Sequence, residues 1–158
     1  MKHKKKIGKA LGRVPSGLFI LTAKYEDRED AVLTSWVNQC AFDPPALTVA
    51  LATVRPARLL VEASGAFILN VLGKEDKALL KHFFKPPAEG KSVFEGLKVS
   101  SGFHGIKILD DAIACLECRV IQQTPVGDHV LYVGEVVNGD LLKKGEPYFH
   151  SRDNGFSY

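Results

Sequence analysis

Apolar residues fall into short blocks of about five to eight positions along this chain, separated by charged or Pro/Gly-rich punctuation. Residues 7–14 carry the spacing of a short, weakly amphipathic helix, and Pro15-Ser16-Gly17 stops it ahead of the apolar run 18–23. The charged stretch 26–30 predicts a solvent turn into a strand over 31–37, so the pair reads as a hairpin. Pro44-Pro45 interrupts the chain, and 46–52 follows, apolar enough to be buried on both faces. Pro56 and Gly65 bracket a short helix, with proline at its first position and glycine just past its end. A strand over 66–72 and a helix over 74–84, ended by Pro86-Pro87, come next.

Residues 85–105 are rich in Gly, Pro, Ser and Lys. A loop of that length in one domain usually covers something, which makes it a candidate lid. Two long strands, 113–123 and 129–138, form a hairpin around Thr124-Pro125-Val126-Gly127-Asp128, and the chain closes with Tyr148-Phe149-His150. About six strands with two or three short helices, and no β-α-β alternation, predict a mainly β domain: an antiparallel barrel with peripheral helices.

The turn into the last long strand is the most informative stretch. Gly127 can take positive φ, Asp128 can bond its own turn backbone, and the Val/Leu/Tyr/Val run after it has β propensity. His129 therefore begins the strand, with its imidazole at the sheet rim facing a cavity or a neighbouring chain. A lone strand histidine is more often structural than catalytic, so both readings stand.

Composition adds bounds. At 158 residues with 46% hydrophobic and 25% charged positions, the chain fits one globular domain. Its net charge of +3 owes much to Lys2, Lys4, Lys5, Lys6 and Lys9, and the basic segment 1–10 reads as a solvated, partly frayed terminus with no nucleic-acid or membrane role. No apolar stretch reaches the ~18 residues of a membrane span, and no signal core follows the basic start, so the expectation is a soluble, cytoplasmic protein. Three cysteines, an odd count, fit a reducing compartment. Cys115 and Cys118 have metal-like spacing, but residues three apart on a strand point to opposite faces, so no metal site is expected.

Three constellations carry candidate chemistry. Thr34-Ser35-Trp36-Val37-Asn38-Gln39-Cys40 packs hydroxyl, amide and indole groups between apolar strands, which suits either a ligand rim or an edge strand with a polar turn. Ala52-Thr53-Val54-Arg55-Pro56-Ala57-Arg58 puts a hydroxyl and two guanidinium groups at a helix start, a natural phosphate site or ordinary surface arginines. The third is His129 with His150 and Arg152. Rossmann and phosphate-loop fingerprints are missing, so any nicotinamide would have to stack directly on another cofactor.

The Thr34 to Pro45 segment and the strand pair at 112–136 resemble the flavin reductase-like, FMN-binding split-barrel family, and the likeness runs from about residue 11 to 150. The first half is especially similar to the flavin reductase-like module of flavodiiron proteins. The resemblance implies a Greek-key split β-barrel of one domain over 1–158, binding FMN (or FAD) as a homodimer. It implies Thr34, Ser35 and Trp36 near the flavin ring, Asn38, Gln39 and Cys40 further along, and Val37 among the cofactor-binding residues between them. Serine is common in the family where Gln39 and Ala41 stand here. Arg58, with Ala52, Thr53 and Arg55, matches the loop that grips the flavin phosphate, and His150 and Arg152 match a segment near the flavin edge. His129 matches the position that contacts the nicotinamide. The implied activity is hydride transfer from NAD(P)H to flavin. The alternative is a flavoredoxin-like electron carrier whose tightly bound FMN is reduced by a partner protein.

Overall fold

The computed structural model describes residues 2–158. Its main element is one seven-stranded antiparallel sheet: β1 (Phe19–Tyr25), β2 (Arg28–Thr34), β3 (Val37–Phe42), β4 (Pro45–Ala52), β5 (Ala66–Val71), β8 (Ala114–Val126) and β9 (His129–Leu141). Between β5 and β8 lies a separate ribbon of β6 (Val99–Ser101) and β7 (Lys107–Leu109). The helices are α1 (Lys2–Leu11), α2 (Ala57–Ser64) and α3 (Lys77–Phe83).

Strand order across the sheet is β2-β1-β5-β8-β9-β4-β3, so β2 and β3 stand at opposite edges. Yet they are consecutive in the chain and only Ser35 and Trp36 join them. A flat sheet of seven strands about 4.8 Å apart could not be bridged by two residues, so the sheet must curl until its edges meet. The amide of Ala50 on β4 donates to Trp36 O at 3.0 Å across the junction, but no ladder joins β2 to β3, and the barrel stays split there. This is the Greek-key split β-barrel.

Inside the curl, Leu21, Val32, Val49, Leu51, Phe67, Leu69, Cys118 and Tyr132 form one core with Ala57, Leu60 and Val61 of α2. Apolar residues on this face of α2 recur at three- and four-residue spacing, which is why the helix can close the barrel beside the split. Gly65 ends it in the left-handed region at φ 67°, donating to Val61 O at 2.8 Å. Against the outer face of the sheet, Ile20, Leu72, Leu79, Phe94 and Leu109 build a second core under α3 and the long excursion. Buried Asn70 ties that layer down, donating to Ile20 O at 3.0 Å and accepting from Leu109 N at 2.8 Å.

Four features differ from the sequence expectation. Residues 2–11 form one helix that takes in the basic segment expected to fray, because the segment after His150 packs on it: Gly155 N donates to Gly8 O at 2.7 Å and Arg152 N to Gly12 O at 3.0 Å. The strand expected over 31–37 stops at Thr34, and residues 37–42 form an edge strand, the second of the two readings the sequence left open, with Val37 paired to Val49. In the long hairpin, β8 continues to Val126, leaving a two-residue turn with Gly127 at φ 58° in its first position. The excursion at 85–105 is partly ordered by the β6–β7 ribbon, and Lys107 O accepts from Thr22 Oγ1 at 2.6 Å.

Cys115 and Cys118 do lie on opposite faces of β8, one in the outer layer and one in the barrel core. Burial raises both thiols, Cys118 to about 12. Among the described residues no helix is long and apolar enough to cross a membrane.

Candidate functional site

A cavity of about 500 Å³ opens at the split, within the range of cofactor pockets. One wall is β2 from Asp30 to Thr34, which at about 3.4 Å per residue gives it a length of about 14 Å. Ala50, Leu51 and Ala52 of β4 and the Arg55-Pro56-Ala57 start of α2 form the second wall. Leu80, Phe83 and Phe84 with Pro86, Pro87 and Val93 add apolar lining, and His150 and Tyr158 also line it. The chamber is thus mostly apolar with a few polar groups, the combination that holds a flat heteroaromatic ring.

Thr34, Ser35, Ala52, Arg55 and His150 of the sequence-derived set line this cavity. Arg55 forms no ion pair among the described residues. Arg58 is committed elsewhere: Nη1 meets Glu62 Oε1 at 2.6 Å and Nε donates to Thr53 O at 3.2 Å. Tyr132, buried in the barrel, donates its hydroxyl to the same Glu62 oxygen at 2.7 Å. The Tyr132 hydrogen bond, followed by Arg58, holds the Glu62 carboxyl below its usual range, and the pair with Glu62 raises the Arg58 guanidinium. Thr53 braces the hairpin turn, with N and Oγ1 donating to Asp128 O at 2.9 and 3.2 Å.

His129 begins β9 opposite Ala52 of β4, and, like Trp36, Thr53, Arg58 and Arg152, it does not itself line the cavity. Its Nδ1 lies 2.6 Å from Asp128 Oδ1 and its Nε2 2.7 Å from Tyr158 Oη. A carboxylate can only accept, so Nδ1 carries a proton, and in the neutral ring Nε2 accepts from the phenol. The imidazole pair keeps the Asp128 carboxyl below its usual range. Trp36 completes the cluster, its ring centroid 4.7 Å from His129 and 5.5 Å from Tyr158, with the Arg152 guanidinium 5.2 Å over it.

Val37, Asn38, Gln39 and Cys40 do not line the cavity. Val37 packs against the barrel core, and the other three are exposed on edge strand β3. Sequence reasoning missed Asp30, Phe83, Phe84 and Tyr158. Phe83-Phe84 ahead of Pro86-Pro87 was a usable signal, two aromatics at the end of a short helix. Asp30 looked like one more charge in a solvent turn; in the fold it accepts from Ala31 N at 2.8 Å, and burial raises its carboxyl. Nothing local marks Tyr158.

The fold and the cavity define a split-barrel protein with an apolar pocket of cofactor size at the split. The model of the "Flavin reductase like domain" family matches residues 11–157, and the chain belongs to that family. It is 38% identical over 152 residues to diflavin flavoprotein A 1 of Synechocystis sp., covering 95% of this chain and 26% of that protein. To putative diflavin flavoprotein A 3 of Nostoc sp. it is 39% identical over 142 residues, covering 86% of this chain and 25% of that one. The chain therefore spans about a quarter of the length of these relatives. Among solved structures, nitrilotriacetate monooxygenase component B from Mycobacterium thermoresistibile superposes with a TM-score of 0.85 at 22% identity, covering 96% of this chain and 84% of that one. A Streptomyces globisporus NADH:FAD oxidoreductase in complex with NAD and FAD fragments gives 0.81 at 19%, covering 90% and 85%.

Proposed function

We propose that the protein binds FMN in the cavity at the split and reduces it with NAD(P)H. The carrying observation is the union of an apolar slot of flavin size, with Thr34, Ser35 and Arg55 on its wall, and His129 hydrogen-bonded to the lining residue Tyr158. When bound, the flavin supplies the hydride acceptor. The chain's own residues bind and orient. Phe83, Phe84 and Pro86 exclude water from the slot, and the Thr34 and Ser35 hydroxyls face the polar edge of the ring. Arg55, at the start of α2, is the cation for the phosphate, since Arg58 is held by Glu62. His129, its tautomer fixed by Asp128, offers Nε2 to the nicotinamide carboxamide as an orienting acceptor. No side chain is required as an obligatory acid or base.

The same reading makes the chain a homodimer. Edge strand β3 presents an unpaired outer ladder, and Phe42 on it is 91% exposed. A second reading, a tightly bound FMN that takes electrons from a partner protein, draws on the flavodiiron-type relatives in which this module is one quarter of the chain. Anaerobic mixing of the FMN-loaded protein with NADH and with NADPH separates the two. Rapid bleaching of the flavin supports the reductase; retention of oxidised flavin with both donors favours the carrier.

A further inference from the structure

We infer that Tyr158 competes with the nicotinamide for His129 Nε2, and so sets the affinity of the site for NAD(P)H; this rests on the reductase reading above.

Both ring nitrogens of His129 are in use. Nδ1 is saturated by Asp128 and Nε2 by the Tyr158 hydroxyl, so a carboxamide can reach the imidazole only by displacing one of them. Of the two, Tyr158 is the one that lines the cavity. The Asp128 carboxylate points outward, with a side-chain exposure of 92%. A phenol and a pyridine carboxamide are both single six-membered rings bearing one polar substituent, so the space that one fills suits the other. Arg55 and Arg152 both lie close enough for their charge to act on the Tyr158 hydroxyl. With Arg55 engaged by the FMN phosphate, Arg152 is the cation an incoming dinucleotide would meet at the place the phenol leaves.

The anchoring of the segment shows how little has to move. Its fixed points are the His150–Ser16 bridge, Arg152 N to Gly12 O, and Gly155 N to Gly8 O at 2.7 Å, with Phe156 against Gly8. Beyond these, Tyr158 is held by the His129 hydrogen bond and the ring contact with Trp36, while the backbone of Ser157 accepts from Arg152 Nη1 at 3.1 Å. Release of the phenol therefore leaves the anchored residues 150–156 in place. One net hydrogen bond corresponds to about a two- to tenfold change in affinity.

The test is calorimetric titration of NAD⁺ and NADP⁺, which cannot reduce flavin, into the FMN-loaded protein. Wild type, Tyr158→Phe, His129→Ala and the double variant are compared. Trp36, the only tryptophan, reports the strap contact by its fluorescence in each cofactor-free protein. Tyr158→Phe is expected to shift that fluorescence and to tighten the dinucleotide two- to tenfold in the wild-type background, with no further tightening once His129 is alanine. Unchanged or weaker binding in Tyr158→Phe, while wild type binds measurably, overturns the competition and leaves the reductase reading intact. If none of the four proteins binds either dinucleotide, the reductase reading fails and the competition falls with it.

Discussion

Replacing Arg55 and Arg58 by alanine, one at a time, separates the cation that serves the cavity from the one that serves the fold. Arg55 lines the cavity and is not ion-paired among the described residues, so in the proposed role Arg55→Ala should remove a charge-assisted bond to phosphate and little else. Such a bond is worth about 1.5 to 3 kcal/mol, a loss of about ten- to a hundredfold in FMN affinity. Riboflavin, which has no phosphate, should bind nearly as before. Arg58→Ala instead removes the pair with Glu62 and the bond to Thr53 O, leaving Glu62 with the Tyr132 hydroxyl. Two partly exposed bonds of this type contribute on the order of 1 kcal/mol together, which lowers the melting temperature of a domain this size by about 2 to 4 °C. Its effect on FMN and riboflavin should be equal and small. Fluorescence titration of both flavins against both variants, beside thermal melts, reads all four quantities. The assignment is refuted if Arg58→Ala discriminates FMN from riboflavin and Arg55→Ala does not.

Gly134→Ala would set a methyl 2.7 Å from Phe67 Cζ and 3.0 Å from Cys118 Cβ in the barrel core. Overpacking of this kind costs about 1 to 3 kcal/mol, and a denaturant melt with an unchanged midpoint would contradict it. The Asp30 carboxyl is raised above its ordinary value of 3.8 by burial, so the folded state holds its proton more tightly than the unfolded chain does. The charged form then costs stability above the folded pKa and nothing well below 3.8. Asp30→Asn should raise the melting temperature at pH 7 and lose that gain as the pH is lowered toward 3.8, whereas an equal effect at both ends would exclude the desolvation argument. Phe42→Asp should convert a dimer to a monomer and weaken FMN together with it, because the placement of flavin at the subunit interface that the family resemblance implies would link the two equilibria. A wild-type monomer that keeps stoichiometric FMN in light scattering and gel filtration would rule that out.

Much of the barrel was legible because each strand announces itself locally. The apolar runs at 18–23, 46–52 and 66–72 lie inside β1, β4 and β5 or within a residue or two of them, and Pro56 and Gly65 bracket α2. What sequence does not carry is closure. That two residues bridge opposite edges of a seven-stranded sheet follows from pairings far apart in the chain, such as Phe67 with Cys118 and Ala52 with His129, and no periodicity shows them. The site divides along the same line. Thr34, Ser35, Ala52 and Arg55 sit at strand and helix ends, where polarity interrupts an apolar run, and they reach the cavity. Asn38, Gln39 and Cys40 have the same polarity, but pairing with β4 turns them into the solvent face of an edge strand. Arg58 and Arg55 look alike in sequence; only the i to i+4 contact with Glu62 tells them apart. Tyr158 comes to His129 from 29 positions away, through anchors on α1 that composition had marked only as a basic tail.

The central claim is that the cavity at the split holds a flavin that NAD(P)H reduces directly. The most direct measurement is the visible spectrum of the protein reconstituted with FMN, recorded under argon in a stopped-flow instrument on mixing with NADH or NADPH. The account predicts one bound FMN per chain and its bleaching by at least one of the two donors, faster than free FMN is bleached in the same buffer. A protein that leaves FMN unbound, or binds it and shows no bleaching beyond the free-flavin rate with either donor, would contradict it.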